Sequence, residues 1–267
     1  VTRVLLVGCG KMGGALLSGW LERGVSPADV VVVEPGGGAA EFAAKGVAVV
    51  ADAAAIPGGF VPEVAVLAVK PQVMAEVLPP YRRFADTTTF LSIAAGKPIA
   101  FFEGLLGEAA VVRAMPNTPA AVRRGITVAI CNGMVGASAR MACDSLLQAV
   151  GEVAWSDDES LMDAVTAVSG SGPAYVFLLT ECLAKAGIAA GLSPDLADKL
   201  ARATVTGSGE LLHQSAETAE TLRRNVTSPG GTTAAALAVL MADKDGLQSL
   251  MTAAVAAAAK RGKELAG

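Results

Sequence analysis

The sequence predicts a doubly wound α/β domain on a parallel sheet, followed by an all-α domain. Three observations carry that expectation. Through about residue 155, short β-branched runs alternate with helical stretches, the pattern of repeated strand–helix–strand units. The runs are continuously apolar, as parallel strands buried on both faces are. From Glu159 onward no convincing strand pattern remains and helical periodicity takes over. The change predicts a boundary near Ser156–Asp158, with one domain over 1–157 and a second over 158–267.

The candidate strands are Val4–Val7, Val30–Val33, Val47–Val50, Val64–Val69, Phe90–Ile93, Val111–Arg113 and Ile126–Cys131. In the second part, Ser193 reads as an N-cap and Pro194 as the first residue of a helix reaching Gln214. Thr232–Met241 and Leu247–Glu264 are also expected to be helical. Ala234–Leu240 and Ala253–Ala259 present small side chains suited to close helix packing between subunits.

Composition narrows the function classes. The chain has 267 residues, enough for two modest domains or one large one, and 52% of them are hydrophobic but only 4% aromatic. A net charge of −4 without a basic cluster argues against a nucleic-acid partner. No run approaches the ~18 apolar residues of a membrane span, so no membrane partner is expected. Cys9, Cys131, Cys143 and Cys182 lie far apart without metal-ligand spacing. They read as reduced thiols of a cytoplasmic protein, with neither a disulfide framework nor a metal site. The opening residues lack the charged-then-apolar pattern of a signal peptide and already form a strand.

The first strand runs into Gly8-Cys9-Gly10-Lys11-Met12-Gly13 and then a helix. This is GxGxxG in the context that gives it meaning. Gly8 permits the tight turn, Gly10 lets a pyrophosphate approach the backbone, and Gly13 lets helix and strand pack closely. The helix N-terminus adds free N–H groups and a dipole favourable to an anion. A nicotinamide dinucleotide is the implied ligand, the other reading being a glycine-rich turn with no ligand. About 20 residues on, Glu34 ends the second strand, where a carboxylate accepts hydrogen bonds from ribose hydroxyls and repels a 2′-phosphate. No Arg or Lys follows until Lys45. This favours NADH over NADPH; the bland reading is a carboxylate pointing to solvent.

A second feature is Asn225-Val226-Thr227-Ser228-Pro229-Gly230-Gly231-Thr232-Thr233. Ser228 suits an N-cap and Pro229 the first helical turn, which puts Gly230 and Gly231 at the second and third helical positions. Each glycine costs a helix up to ~1 kcal/mol relative to alanine, so two in a row suggest close approach of a ligand. The N–H groups of Gly230, Gly231 and Thr232, with the hydroxyls of Ser228 and Thr233, would make a carboxylate site. An ordinary capped helix start is the alternative.

The stretch Leu222 to Thr233, LRRNVTSPGGTT, resembles the signature of the pyrroline-5-carboxylate reductases. Three further segments are similar to that family: Ala68-Val69-Lys70-Pro71, Met115-Pro116-Asn117-Thr118-Pro119, and Asp163-Ala164-Val165-Thr166 leading to Ser169-Gly170-Ser171-Gly172-Pro173-Ala174-Tyr175. They occur in the expected order and span nearly the whole chain. The resemblance implies a Rossmann-type domain followed by a helical domain that interlocks with a partner subunit, making at least a homodimer. It implies reduction of 1-pyrroline-5-carboxylate, a cyclic imine with a carboxylate, to proline by NAD(P)H. It places Val69, Lys70, Pro71 and Ala95 along the cofactor, with Asn225 reaching it from the helical domain. Ser228, Gly230, Gly231, Thr232 and Thr233 would hold the substrate carboxylate, and Glu159 would stand near the substrate; a solvated or capping carboxylate is the other reading of Glu159. Two departures bear on the cofactor. Glu34 and a glycine loop stand where family members often carry small polar or basic residues, and an asparagine that often touches the adenosine side is replaced within Asp52–Ala55.

The chemistry asks for few acids, since a protonated imine can bind directly and accept hydride. Thr233 and Tyr175 are candidate donors to the ring nitrogen, Thr233 being the catalytic candidate. Lys70 at a strand end fits cofactor contact better than acid catalysis, and His213 reads as a surface residue. Another reductase of the same two-part build, such as a β-hydroxyacid dehydrogenase, would use a lysine of the second domain. Lys185 and Lys199 are available for that, but neither sits in that family's motif.

Overall fold

The structure, a computed structural model, describes residues 2–266. They form eight strands: β1 (Val4–Val7), β2 (Val30–Val33), β3 (Ala48–Val50), β4 (Val64–Leu67), β5 (Thr89–Ser92), β6 (Ala110–Met115), β7 (Gly125–Cys131) and β8 (Gly151–Trp155). One sheet holds them all in the order β3-β2-β1-β4-β5-β6-β7-β8. The helices of this part are α1 (Lys11–Glu22), α2 (Ala40–Ala43), α3 (Met74–Val77), α4 (Ile99–Leu106), α5 (Ala137–Gln148) and α6 (Met162–Val165).

The valine-rich strands alternate between two cores, one on each face. Val4, Leu6, Val30, Val32, Val64 and Val66 pack with Leu16, Leu17 and Trp20 of α1 and with Leu146 and Leu147 of α5. Leu5, Val7, Val31, Val33, Ala65 and Leu67 pack with Met74, Leu78, Tyr81, Phe84 and Phe102 on the other face. Each buried Val, Leu, Met or Phe side chain among them contributes roughly 1.5–3 kcal/mol of transfer free energy. The buried indole of Trp20 keeps its polar atom paired, donating to the Leu146 carbonyl at 2.8 Å.

The sheet departs from the expected parallel pattern at one step. β6 and β7 pair antiparallel, and the other neighbours are parallel. The link from Met115 to Gly125 holds only a short 3-10 turn, Thr118–Val122, and is too short for a parallel crossover. β8 is an addition to the expected strands. Its residues alternate between half-buried and exposed, the signature of a strand with one solvated face rather than a continuous apolar run.

By spatial compactness the chain divides into two units, the first running through Gly170. The segment past Glu159 stays with the sheet because Met162 is buried in the second core and Glu159 pairs with a strand residue. The first unit also takes in the chain from Ala258.

The second unit contains α7 (Gly172–Ala189), α8 (Pro194–Gln214), α9 (Ala219–Asn225), α10 (Thr232–Leu240) and the start of α11 (Leu247–Ala266). Ser193 caps α8 as expected, its hydroxyl accepting from the Leu196 N–H at 3.4 Å. Gly187 of α7 lets α8 come close: a Cβ there would stand 3.3 Å from the Ala197 Cβ. Ala197 and Ala201 are the buried apolar residues of this unit, among the described residues. Val176, Phe177, Leu178, Leu179 and Leu183 of α7 are all exposed. A helix this apolar on its surface is built to be covered by protein. Among the described residues no helix is long and apolar enough to cross a membrane.

Candidate functional site

The glycine-rich turn behaves as its spacing predicts. Gly8 has φ +89°, and a Cβ there would lie 2.8 Å from Cγ1 of Val69. A Cβ on Gly13 would strike the Gly8 carbonyl oxygen and stand 3.3 Å from the Ala68 Cβ. Gly10 differs: its missing Cβ faces open space, and the residue forms the N-cap of α1. Gly8 and Gly13 are thus glycine because the protein leaves no room, whereas Gly10 leaves open space at the start of α1.

The turn opens on a cleft of about 490 Å³ at the carboxyl ends of β1 to β4. β1 lies between β2 and β4, so this is the topological switch point where open α/β sheets bind ligands. Gly8, Gly10, Glu34, Val69 and Lys70 all line it. Lys70 is exposed at the end of β4, beside Pro71. Cys9 and Lys11 face a separate polar hollow of about 530 Å³ shared with Glu22, Glu41 and Arg123. Met12 packs against the first core. Ala95 is exposed just past β5, beside Gly96 at φ +71°.

Glu34 does not point idly to solvent. Its Oε2 accepts from the Cys9 N–H at 2.7 Å and its Oε1 from the Gly36 N–H at 2.9 Å. The carboxylate therefore rests on the glycine-rich turn itself. Burial, then Glu34, then Glu41 push the Cys9 thiol up to about 11, so the thiol is held protonated.

Apart from the Asp52–Ala55 stretch, sequence reasoning passed over much of the cleft wall. Ala51, Asp52 and Ala53 follow β3, and Val73, Glu76, Val77, Pro80 and Tyr81 also line the cleft. Val73, Val77 and Tyr81 recur at intervals of four, a helical spacing that could have flagged them. Asp52 spends one oxygen on the Ala54 and Ala55 N–H groups, at 2.8 and 3.0 Å. Burial drives the Tyr81 phenol up to about 12, with Arg83 opposing and Asp52 adding.

The Ser228–Thr233 segment folds differently from expectation. Ser228 is not the N-cap of α10, and Gly230 and Gly231 are not inside the helix. The Gly231 N–H donates to the Ser228 carbonyl at 3.1 Å, and Gly230 has φ +71°. Pro229 and Gly230 thus form the centre of a type II turn, which needs a positive φ at its third residue. Gly231 is the N-cap, and the first intrahelical bond runs from the Ala235 N–H to the Gly231 carbonyl at 3.2 Å. The N–H groups of Thr232, Thr233 and Ala234 precede that bond and are the helix's open donors. The Gly231 N–H, expected to face a ligand, is taken by the turn. Ser228 stays beside the helix start: a Cβ on Gly231 would be 2.5 Å from its Oγ. Asn225, at the end of α9, is exposed, and its side-chain amide donates to Glu217 at 3.2 Å.

Glu159 has a partner that the sequence did not disclose. Its Oε1 accepts from Nη1 of Arg113 at 2.9 Å and from the Ile99 N–H at 2.8 Å. Arg113, on β6, is only 7% exposed. Glu159 therefore pairs with a buried guanidinium and caps α4, the capping reading of this carboxylate. Lys185 is exposed and stands 3.9 Å from Glu181 on the same helix, and His213 is exposed.

Known proteins with this arrangement share more than the fold. Residues 159–265 match the family model for pyrroline-5-carboxylate reductase dimerisation, and residues 3–96 match that for NADP oxidoreductase, coenzyme F420-dependent. A pyrroline-5-carboxylate reductase of Pseudomonas aeruginosa is 42% identical, over 99% of this chain and 97% of its own. A solved pyrroline-5-carboxylate reductase from Coxiella burnetii superposes with a TM-score of 0.92 at 34% identity, covering 99% of this chain and 98% of its own. The Plasmodium falciparum pyrroline carboxylate reductase, solved with NADP bound, gives 0.82 at 28% identity over 100% and 98%. The dimerisation match accounts for the bare apolar face of α7, which marks the chain as a homo-oligomer. By sequence identity over nearly its whole length and by fold, the chain belongs to the pyrroline-5-carboxylate reductase family.

Proposed function

We propose that this chain reduces 1-pyrroline-5-carboxylate to proline with a nicotinamide dinucleotide, and that it uses NADH in preference to NADPH. The observation that carries the reading is the Gly8–Gly13 turn opening on its cleft, in a chain whose relatives carry this activity by name. The fit to a dinucleotide rests on Gly10. It is the one glycine of the motif with open space where a Cβ would stand, at the N-terminus of a twelve-residue helix.

When bound, the dinucleotide supplies the hydride that reduces the C=N bond. The chain's own residues bind and orient. Gly8, Gly10 and the first turn of α1, with Lys11, hold the pyrophosphate through N–H groups and the helix dipole. Val69, Lys70, Pro71 and Ala95 line the path of the cofactor, and Asn225 contributes its amide. Thr232 and Thr233 hold the substrate carboxylate through the open N–H groups and hydroxyls at the start of α10, beside Ser228. The type II turn at Pro229–Gly230 sets their approach. Thr233 also holds a hydrogen bond at the ring nitrogen, which arrives already protonated. Rate then comes from orientation rather than from a strong protein acid.

The cofactor preference rests on charge. The Plasmodium relative binds NADP. Here three carboxylates, Glu34, Asp52 and Glu76, line the cleft. Glu34 further occupies the Cys9 and Gly36 N–H groups that a 2′-phosphate would need. A second anion there meets repulsion and finds its donors taken.

Changing Thr233 to alanine tests the substrate half. Thr233→Ala should lower kcat/KM for pyrroline-5-carboxylate by at least tenfold and leave NADH binding within twofold, by the usual worth of hydrogen bonds to charged groups. Unchanged kinetics would remove Thr233 from the site.

A further inference from the structure

One polar group of the cleft has no task in the chemistry above. Tyr81 lies in the 3-10 turn Pro79–Phe84, its ring buried in the second core at 1% exposure. Among the described residues its hydroxyl has no hydrogen-bond partner, yet it is not sealed inside the protein, and the residue lines the cleft. Its charged neighbours hold other bonds. Arg83 donates to the Ala53 carbonyl at 2.8 Å, and Asp52 accepts from Ala54 and Ala55. A phenylalanine would fill the same space in the core without the hydroxyl. Buried rings that carry an O–H normally pair it, so an unpaired one opening on a cleft is a group kept for a ligand.

The rest of the wall says which part of the ligand arrives there. Gly8 and Gly10 line the cleft, and so does Glu34, at the strand end where ribose hydroxyls bind. Alongside Asp52 and Glu76, the lining also holds Ala51, Ala53, Val73, Val77 and Pro80, apolar surfaces suited to the faces of a flat heterocycle. Along a dinucleotide, pyrophosphate is followed by ribose and then by purine. We propose that Tyr81 hydrogen-bonds the purine of the bound dinucleotide and is a cofactor-binding residue of this enzyme. The inference rests on reading the cleft as the dinucleotide site.

The test compares wild type with Tyr81→Phe, titrating NADH and reduced nicotinamide mononucleotide by nicotinamide fluorescence, and melting the ligand-free proteins. Tyr81→Phe should bind NADH about fivefold more weakly, the worth of one net hydrogen bond. Its affinity for the mononucleotide, which lacks the purine, should match wild type. Its ligand-free melting temperature should be equal or higher, since the hydroxyl has no partner in the protein to lose. NADH affinity equal to wild type would overturn the proposal. So would equal weakening toward both ligands together with a lowered melting temperature, which would assign the hydroxyl to structure. Failure of wild type itself to bind NADH would instead remove the dinucleotide reading beneath it.

Discussion

Replacing Glu159 with alanine separates a structural carboxylate from a substrate-binding one. The variant strips the ion partner from Arg113, which is 7% exposed on β6. It also removes the acceptor of the Ile99 N–H, at the start of a helix whose own N-cap, Pro98, offers no side-chain bond. Breaking one side of a buried pair costs about 3–5 kcal/mol, less here because the Glu159 side chain is a third exposed. A lost helix-end acceptor costs roughly 0.5–2 kcal/mol. Together the structure predicts about 3 kcal/mol, or a fall of roughly 6–12 °C in melting temperature. Thermal melts followed by circular dichroism measure it. Glu159→Leu combined with Arg113→Met should recover most of the loss, because an apolar pair of similar volume leaves no orphaned charge. An unchanged melting temperature, with the KM for pyrroline-5-carboxylate raised tenfold or more, would refute this account and return Glu159 to the substrate.

Three further outcomes follow from the same geometry. Glu34→Ser should shift the ratio of kcat/KM for NADPH over NADH upward by at least tenfold, because it frees the Cys9 and Gly36 N–H groups and removes a charge; an unmoved ratio means the residue does not read the ribose. Gly10→Ala and Gly13→Ala should part company: the first keeps the melting temperature and loses NADH affinity in titration, whereas the second loses both, since only its Cβ strikes the protein. Burial first, then Glu34 and Glu41, raise the Cys9 thiol to about 11, so the thiolate forms only as pH climbs toward that value. Native protein at pH 8 should therefore label slowly with iodoacetamide at Cys9, as read by peptide mass mapping, and fast labelling there would contradict the buried setting.

Much of the first unit was legible because its signals are local. A strand such as Val30–Val33 is apolar at every position, and GxGxxG between strand and helix states its own geometry. β8 escaped because it is an edge strand that alternates, and a search for continuous apolar runs cannot see it. The Pro229–Gly230 pair satisfies both a helix start and a type II turn; the positive φ of Gly230, which decides between them, is a property of the folded backbone. The Arg113–Glu159 pair was not legible because its members lie 46 residues apart, and no spacing rule links them. The same long-range pairing holds the segment after Glu159 to the sheet, so the first compact unit runs through Gly170. Tyr81 looks in sequence like one more core aromatic, and only the cleft beside it gives its hydroxyl a meaning.

The most direct test of the account is steady-state oxidation of NADH and of NADPH by the purified protein with 1-pyrroline-5-carboxylate, read as loss of nicotinamide absorbance with proline quantified. One proline per dinucleotide oxidised is expected, with kcat/KM higher for NADH. No proline from either cofactor would contradict the proposed reaction, and a clear preference for NADPH would contradict the role given to Glu34.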